Sequence, residues 1–178
     1  MPIMEPYDLE LVRQEWIGAR LEPKAGRYPV EYDPIRRHCR MVEDDNPLFL
    51  DPEYAAKTRW AGVIAPPVMV EMFAGAGAWP PDEGSVNIAR RVPTRGERLI
   101  NLNLVWEYHA PIRVGDHLSM SSEVVDIYEK PIGLDPLAIW IVTERRVTNQ
   151  DGNLIAVGRA TLLTHRTPEQ VADAEARS

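Results

Sequence analysis

An α+β fold, in which a curved antiparallel sheet wraps a buried central helix, is the class the sequence predicts. Three observations carry the prediction. The stretch 60–79, "WAGVIAPPVMVEMFAGAGAW", becomes apolar all round after Pro67, with Glu71 nearly alone among the apolar residues. A helix of that kind, running from about Pro67 to Ala78, should be buried on every side. From residue 99 the apolar period switches to two and holds through four long segments, the signature of strands rather than helices. Short helices and turns come before this sheet, and helices segregated from an antiparallel sheet define the α+β class.

Taken in order, residues 8–20 carry Leu9, Val12, Trp16 and Ile17 close to helical spacing behind an Asp8 cap. "RYPVEYD" (27–33) reads as a short strand, and Asp33-Pro34 as the cap and first turn of a helix over "PIRRHCRMVED". Asp51-Pro52 repeats the device before "PEYAAKTR". After the central helix, "IARRVPTRGER" (88–98) reads as a solvated loop because of its Pro and Gly. In "LINLNLVWEYH" the residues Ile100, Leu102, Leu104, Trp106 and Tyr108 should share one face. Strands over 117–129, 136–149 and 153–166 follow, joined by turn sequences that include Asp151-Gly152. The boundary falls there: residues 1–166 form one domain with an N-terminal helical arm, and 167–178 form a polar, frayed tail. A helix followed by a curved antiparallel sheet that wraps it is the hot-dog architecture. Four or five strands cannot enclose a helix from every side, so a dimer joined through edge strands is the expected unit.

Bulk properties exclude several functions. With 178 residues, 44% hydrophobic and 26% charged, the chain can bury a core without staples. A net charge of −7 argues against nucleic-acid or anionic-membrane surfaces, which need basic patches. The single cysteine, Cys39, leaves no intrachain disulfide and fits a reducing compartment, where it should pack as a small apolar residue. No apolar run reaches membrane-spanning length and no signal peptide is evident, so a cytoplasmic location is expected. The four histidines lack metal-ligand spacing, and neither a metal nor a cofactor is expected. His117 and His165 should lie at the surface, and His109 on the polar face of its strand.

The remaining signal is "VEDDNPLFLDPEYA" (42–55), where acids, an asparagine and a proline crowd ahead of an apolar run. Asp44, Asp45 and Asn46 fit a structural turn as well as a ligand site. The segment "DDNPLF" (44–49) also resembles the Gly-Asp-x-Asn-Pro-x-His motif of the MaoC-like (R)-specific enoyl-CoA hydratases and dehydratases. "GVIAPPVMVEMF", "WEYHAPIRVGDHLSMSSEVVDIYEK" and "TNQDGNLIAVGRATLL" resemble the family's helix entry, strand–turn–strand and last hairpin. Together these cover roughly residues 12–165, in the family's order and spacing.

The resemblance implies a 2-enoyl thioester of CoA or acyl carrier protein as substrate. In the family, the Asp and His of the motif activate the water that is added or lost. A backbone N–H at the start of the buried helix holds the thioester oxygen. Carried across, Asp44 and Asn46 occupy the catalytic motif positions, but Phe49 stands where the family has His. Phe49, Ala65, Pro67 and Met69 are implied to line the substrate site. Pro66-Pro67 replaces His-Gly, so Pro67 has no N–H to donate, and Glu43 replaces the leading Gly. The pattern resembles the non-catalytic half of double-hot-dog or heterodimeric members. It implies a subunit that shapes the acyl pocket while a MaoC-like partner supplies the Asp–His pair. A homodimer that only binds acyl thioesters, and a self-sufficient hydratase using Asp44 with a base from elsewhere, are the alternatives.

Overall fold

The computed structural model describes residues 6–75 and 87–176. Helix α1 (Leu9–Trp16) leads into β1 (Arg20–Ala25), then α2 (Tyr32–Met41), α3 (Pro47–Leu50) and α4 (Pro52–Ala56). A 3-10 turn at Pro67–Met69 runs into α5 (Val70–Phe73), and a second 3-10 turn occupies Ile88–Arg91. Strands β2 (Arg98–Tyr108), β3 (Ser119–Glu129), β4 (Ile139–Thr148) and β5 (Leu154–His165) follow, and α6 (Pro168–Ala176) closes the chain. The five strands form one antiparallel sheet in the order β1-β3-β4-β5-β2, so β2 is an edge. Asp8 caps α1 by accepting from the Leu11 N–H, and Asp51 caps α4 by accepting from Glu53 and Tyr54.

One face of the sheet carries the core in two clusters. The larger gathers Val30, Ile35, Cys39, Phe49, Met69, Val70 and Phe73 against Leu118, Val147, Ile155 and Ala156. The smaller packs Val12 of α1 with Ile88, Ala89 and Val92 over Val124, Ile127, Ile139, Ile141 and Leu162. The chain end of α5 meets the end of β1 so closely that a Cβ on Gly26 would lie 2.0 Å from the Phe73 carbonyl oxygen. Only glycine permits that approach.

Several expectations are corrected. The early strand is Arg20–Ala25, not 27–33; it pairs with β3 through a register shift between Leu21 and Lys24, where Pro23 removes a ladder N–H. Helix α2 begins at Tyr32, behind Glu31, and Asp33 does not cap it; Asp33 instead pairs with Arg36 and Arg37. The Arg36 bond holds its carboxyl below the usual carboxylate range. The central helix is not buried all round. Met69, Val70, Phe73 and Ala74 face the core, but Val68 is 69% and Met72 55% exposed. Its expected end, 76–78, lies outside the described residues.

The loop at 88–98 contains a 3-10 turn whose Ile88, Ala89 and Val92 seal the second cluster. The tail is helical over Pro168–Ala176, where Thr167 Oγ1 accepts from the Gln170 N–H and Gln170 returns a bond to the Thr167 N–H. That reciprocal pair is a capping box. His165 is buried, with Nδ1 2.8 Å from the Arg166 carbonyl.

The hairpin between β3 and β4 is tied to the end of β5 by a buried ion pair. Asp135 accepts from Arg166 Nη2 at 2.7 Å and from the Arg166 backbone N–H at 2.8 Å. Burial pushes the Asp135 carboxyl up, but the Arg166 and Leu137 hydrogen bonds outweigh it, and the group sits below its ordinary value. A depressed folded-state pKa adds stability above the unfolded value, and that stability is lost as pH falls through the folded one. Thermal unfolding followed from pH 7 to pH 2 should therefore show a Tm decline setting in below about pH 4. Asp135→Ala should flatten that acid limb and cost about 3–5 kcal/mol at neutral pH, because it breaks a buried ion pair by removing one partner.

Candidate functional site

The acidic stretch folds into two consecutive side-chain-to-backbone turns. The Asp44 N–H donates to the Cys39 carbonyl at the end of α2, at 2.9 Å. The half-buried Asp44 carboxylate accepts from the Asn46 N–H at 3.0 Å, and Asn46 Oδ1 accepts from the Leu48 N–H at 3.0 Å to cap α3. Pro47 then occupies the first turn of α3, where its missing N–H costs nothing. Glu43 carries a φ of +57°, a left-handed conformation that glycine adopts without strain.

Phe49 is 8% exposed and packs in the larger cluster with Ile35, Cys39, Ile64, Ala65 and Met69. Its ring is sealed in apolar surroundings. The same burial raises the Cys39 thiol, and the Asp44 charge raises it further, so Cys39 stays protonated and inert. Ala65 is buried and its N–H donates to Ile112 at 2.8 Å. Pro66 is buried and its carbonyl accepts from the Met69 N–H at 3.0 Å; Pro67 is exposed at the head of the turn. The structure therefore gathers Phe49, Ala65 and Met69 in one cluster, with Pro67 at its rim.

No histidine joins them. His38 is half-buried on α2; His109 lies at the end of β2, with Nε2 3.7 Å from Glu107; His117 Nε2 is 2.9 Å from the Gly26 carbonyl. Among the described residues no group of three or more His, Cys, Asp or Glu side chains is placed to hold a metal ion. No helix among them is long and apolar enough to cross a membrane.

Sequence reasoning missed one polar feature. Glu71 of α5 forms an ion pair with Arg145 of β4 on the core side of the sheet. Tyr108 lies near enough that burial, and then the Glu71 charge, raise its hydroxyl above the ordinary range. The signal was present as the lone acid in an apolar helix.

The five-stranded antiparallel sheet over the short central helix defines the class as a hot-dog fold. The chain belongs to the FAS1-like dehydratase domain region family, whose model matches residues 15–157. It is 30% identical over 172 residues to a probable enoyl-CoA hydratase alpha subunit of Thermomonospora curvata. That match covers 92% of the chain but 54% of the relative, so the chain spans about half of that subunit's length. Among solved structures, the ChsH1-ChsH2 complex of Mycobacterium tuberculosis contains a similar fold. There the TM-score is 0.71 at 22% identity, covering 90% of this chain and 96% of that one. The C-terminally truncated HadBC complex of the same organism, a 3R-hydroxyacyl-ACP dehydratase, aligns at a TM-score of 0.54 and 22% identity, covering 83% of this chain and 99% of that one.

Proposed function

We propose that the chain is the non-catalytic hot-dog subunit of an (R)-specific enoyl-thioester hydratase or 3-hydroxyacyl-thioester dehydratase. It shapes the acyl pocket, and a MaoC-like partner supplies the Asp–His pair. One observation carries this reading: Phe49 stands at the histidine position and is built into the core. Asp44 and Asn46 meanwhile hold the backbone of the turn that once presented the site. A phenyl ring moves no proton, and Pro67 offers no N–H to a developing oxyanion. The relatedness to an enoyl-CoA hydratase alpha subunit supports the subunit role.

The partner would dock on β2 and the outer side of the central helix. Strand β2 is an edge without proline, and Leu104, Val105 and Tyr108 on it are exposed together with Val68 and Met72. Such an edge invites another strand, and the apolar side chains would be covered by it. Leu104→Glu with Met72→Glu should therefore convert the assembly to a monomer that keeps its circular-dichroism spectrum. Sedimentation of the wild-type chain as a monomer, alone and with its partner, would refute the docking.

A further inference from the structure

The core face of the sheet is not uniformly apolar. Between the two clusters, β4 places Thr143 and Arg145 where the rest of its face carries Ile139, Ile141 and Val147. Register sets Arg145 opposite Ser122 of β3 and Gly158 of β5, and sets Gly158 opposite Trp106 of β2. The Trp106 ring lies over Gly158, where a Cβ would come within 2.6 Å of it, and stacks with Tyr108 at 6.3 Å between centroids. Glu71 reaches down from α5 onto Arg145. Within the chain this patch is not packed shut: Ser122, Arg145 and Ala160 are half-buried, and Leu104 at its rim belongs to the surface that the proposed partner covers.

Holding the helix does not explain the pair. Met69, Val70, Phe73 and Ala74 already anchor that segment, and a half-buried ion pair adds little stability once its desolvation is counted. The pair does have a chemical consequence. A plain alkyl chain laid across it would strip water from two charges and return no hydrogen bond. A hydroxyl or carbonyl could accept from the guanidinium, and a hydroxyl could also donate to the carboxylate.

We infer that Glu71 and Arg145 form the polar floor of the acyl site, and that the acyl group taken there carries a hydroxyl or carbonyl further along its chain than the C1–C3 segment on which the proposed reaction acts. The inference rests on the acyl-thioester reading above, and Trp106 and Tyr108 supply the aromatic wall beside the floor.

The test is calorimetric titration of the full chain, in the assembly in which it purifies, with octanoyl-CoA and with its isomers singly hydroxylated at C4 to C8. At least one isomer should bind about tenfold tighter than octanoyl-CoA, the effect of a gained charge-assisted hydrogen bond. Glu71→Met with Arg145→Met should abolish that preference while octanoyl-CoA still binds. Glu71→Gln, which keeps the side chain's shape, should reduce it, and serves if the double variant does not fold. Equal binding of all the thioesters, or a preference unchanged in the variants, overturns the polar floor but leaves the acyl-thioester reading standing. Failure of every thioester to bind overturns both.

Discussion

Purified alone, the chain should hydrate crotonyl-CoA no faster than a protein-free control. Mixed with a hot-dog chain that carries an intact Asp-x-Asn-Pro-x-His motif, it should form an active assembly. The size of the expected gap follows from two missing groups. A positioned acid–base residue is worth on the order of 10²–10⁴ in rate, and an oxyanion donor about 10²–10³, although such effects do not add. On the proposed reading, Phe49 stands in place of the first and Pro67 in place of the second. Asp44→Ala in this chain should leave the assembly's kcat nearly unchanged, because its carboxylate accepts from the Asn46 N–H and so serves the turn. The cost should appear as stability, about 1–2 kcal/mol for a lost turn bond. Robust turnover by the isolated chain, abolished by Asp44→Ala, would instead establish a self-sufficient enzyme. An assembly that binds acyl-CoA and stays inactive with every such partner would favour the pure binding protein.

The four long strands were legible because alternation over ten or more residues has one structural solution, and their turns carry the residues that tight connections need. The Asp8 and Asp51 caps were legible for the same local reason. Strand β1 was not: "RLEPKA" is polar, contains a proline, and is a strand only because β3 offers it an edge. Nor could alternation reveal the register shift between Asn101 and Asn103. It turns Ile100, opposite Leu163, to the other face from Leu104, opposite Ala160, and so breaks the single apolar face expected of 100–108. The α6 capping box was readable in "TPEQ" and was hidden by the polar composition around it. At the site, the motif positions were visible, but that Phe49 is core and that Glu71 meets Arg145 are facts of long-range packing.

Phe49→His alone should give little activity, and the triple variant Phe49→His, Pro66→His, Pro67→Gly measurably more in kcat/KM toward an enoyl-CoA. The turn favours the attempt. Asp44 and Asn46 still build it, Glu43 still bends left-handed, and α3 still starts at Pro47. The surroundings oppose it. Residue 49 sits among Ile35, Ile64 and Met69, so an imidazole there loses water without an assured partner, at a cost of roughly 1–3 kcal/mol. Burial also disfavours its charged form, and the new histidine should titrate below its ordinary range. The single variant is further limited at the helix start, where Pro67 has no N–H and the Met69 N–H is bonded to Pro66. Glycine at 67 restores a donor but gives up the rigid φ that opens the 3-10 turn. Thermal unfolding of each variant must accompany the kinetics, so that a dead enzyme is not confused with an unfolded one. A single variant as active as the triple would show that the helix-start amide plays no part. Folded but inactive triple variants would show that the core around Phe49, and not one side chain, has closed the site.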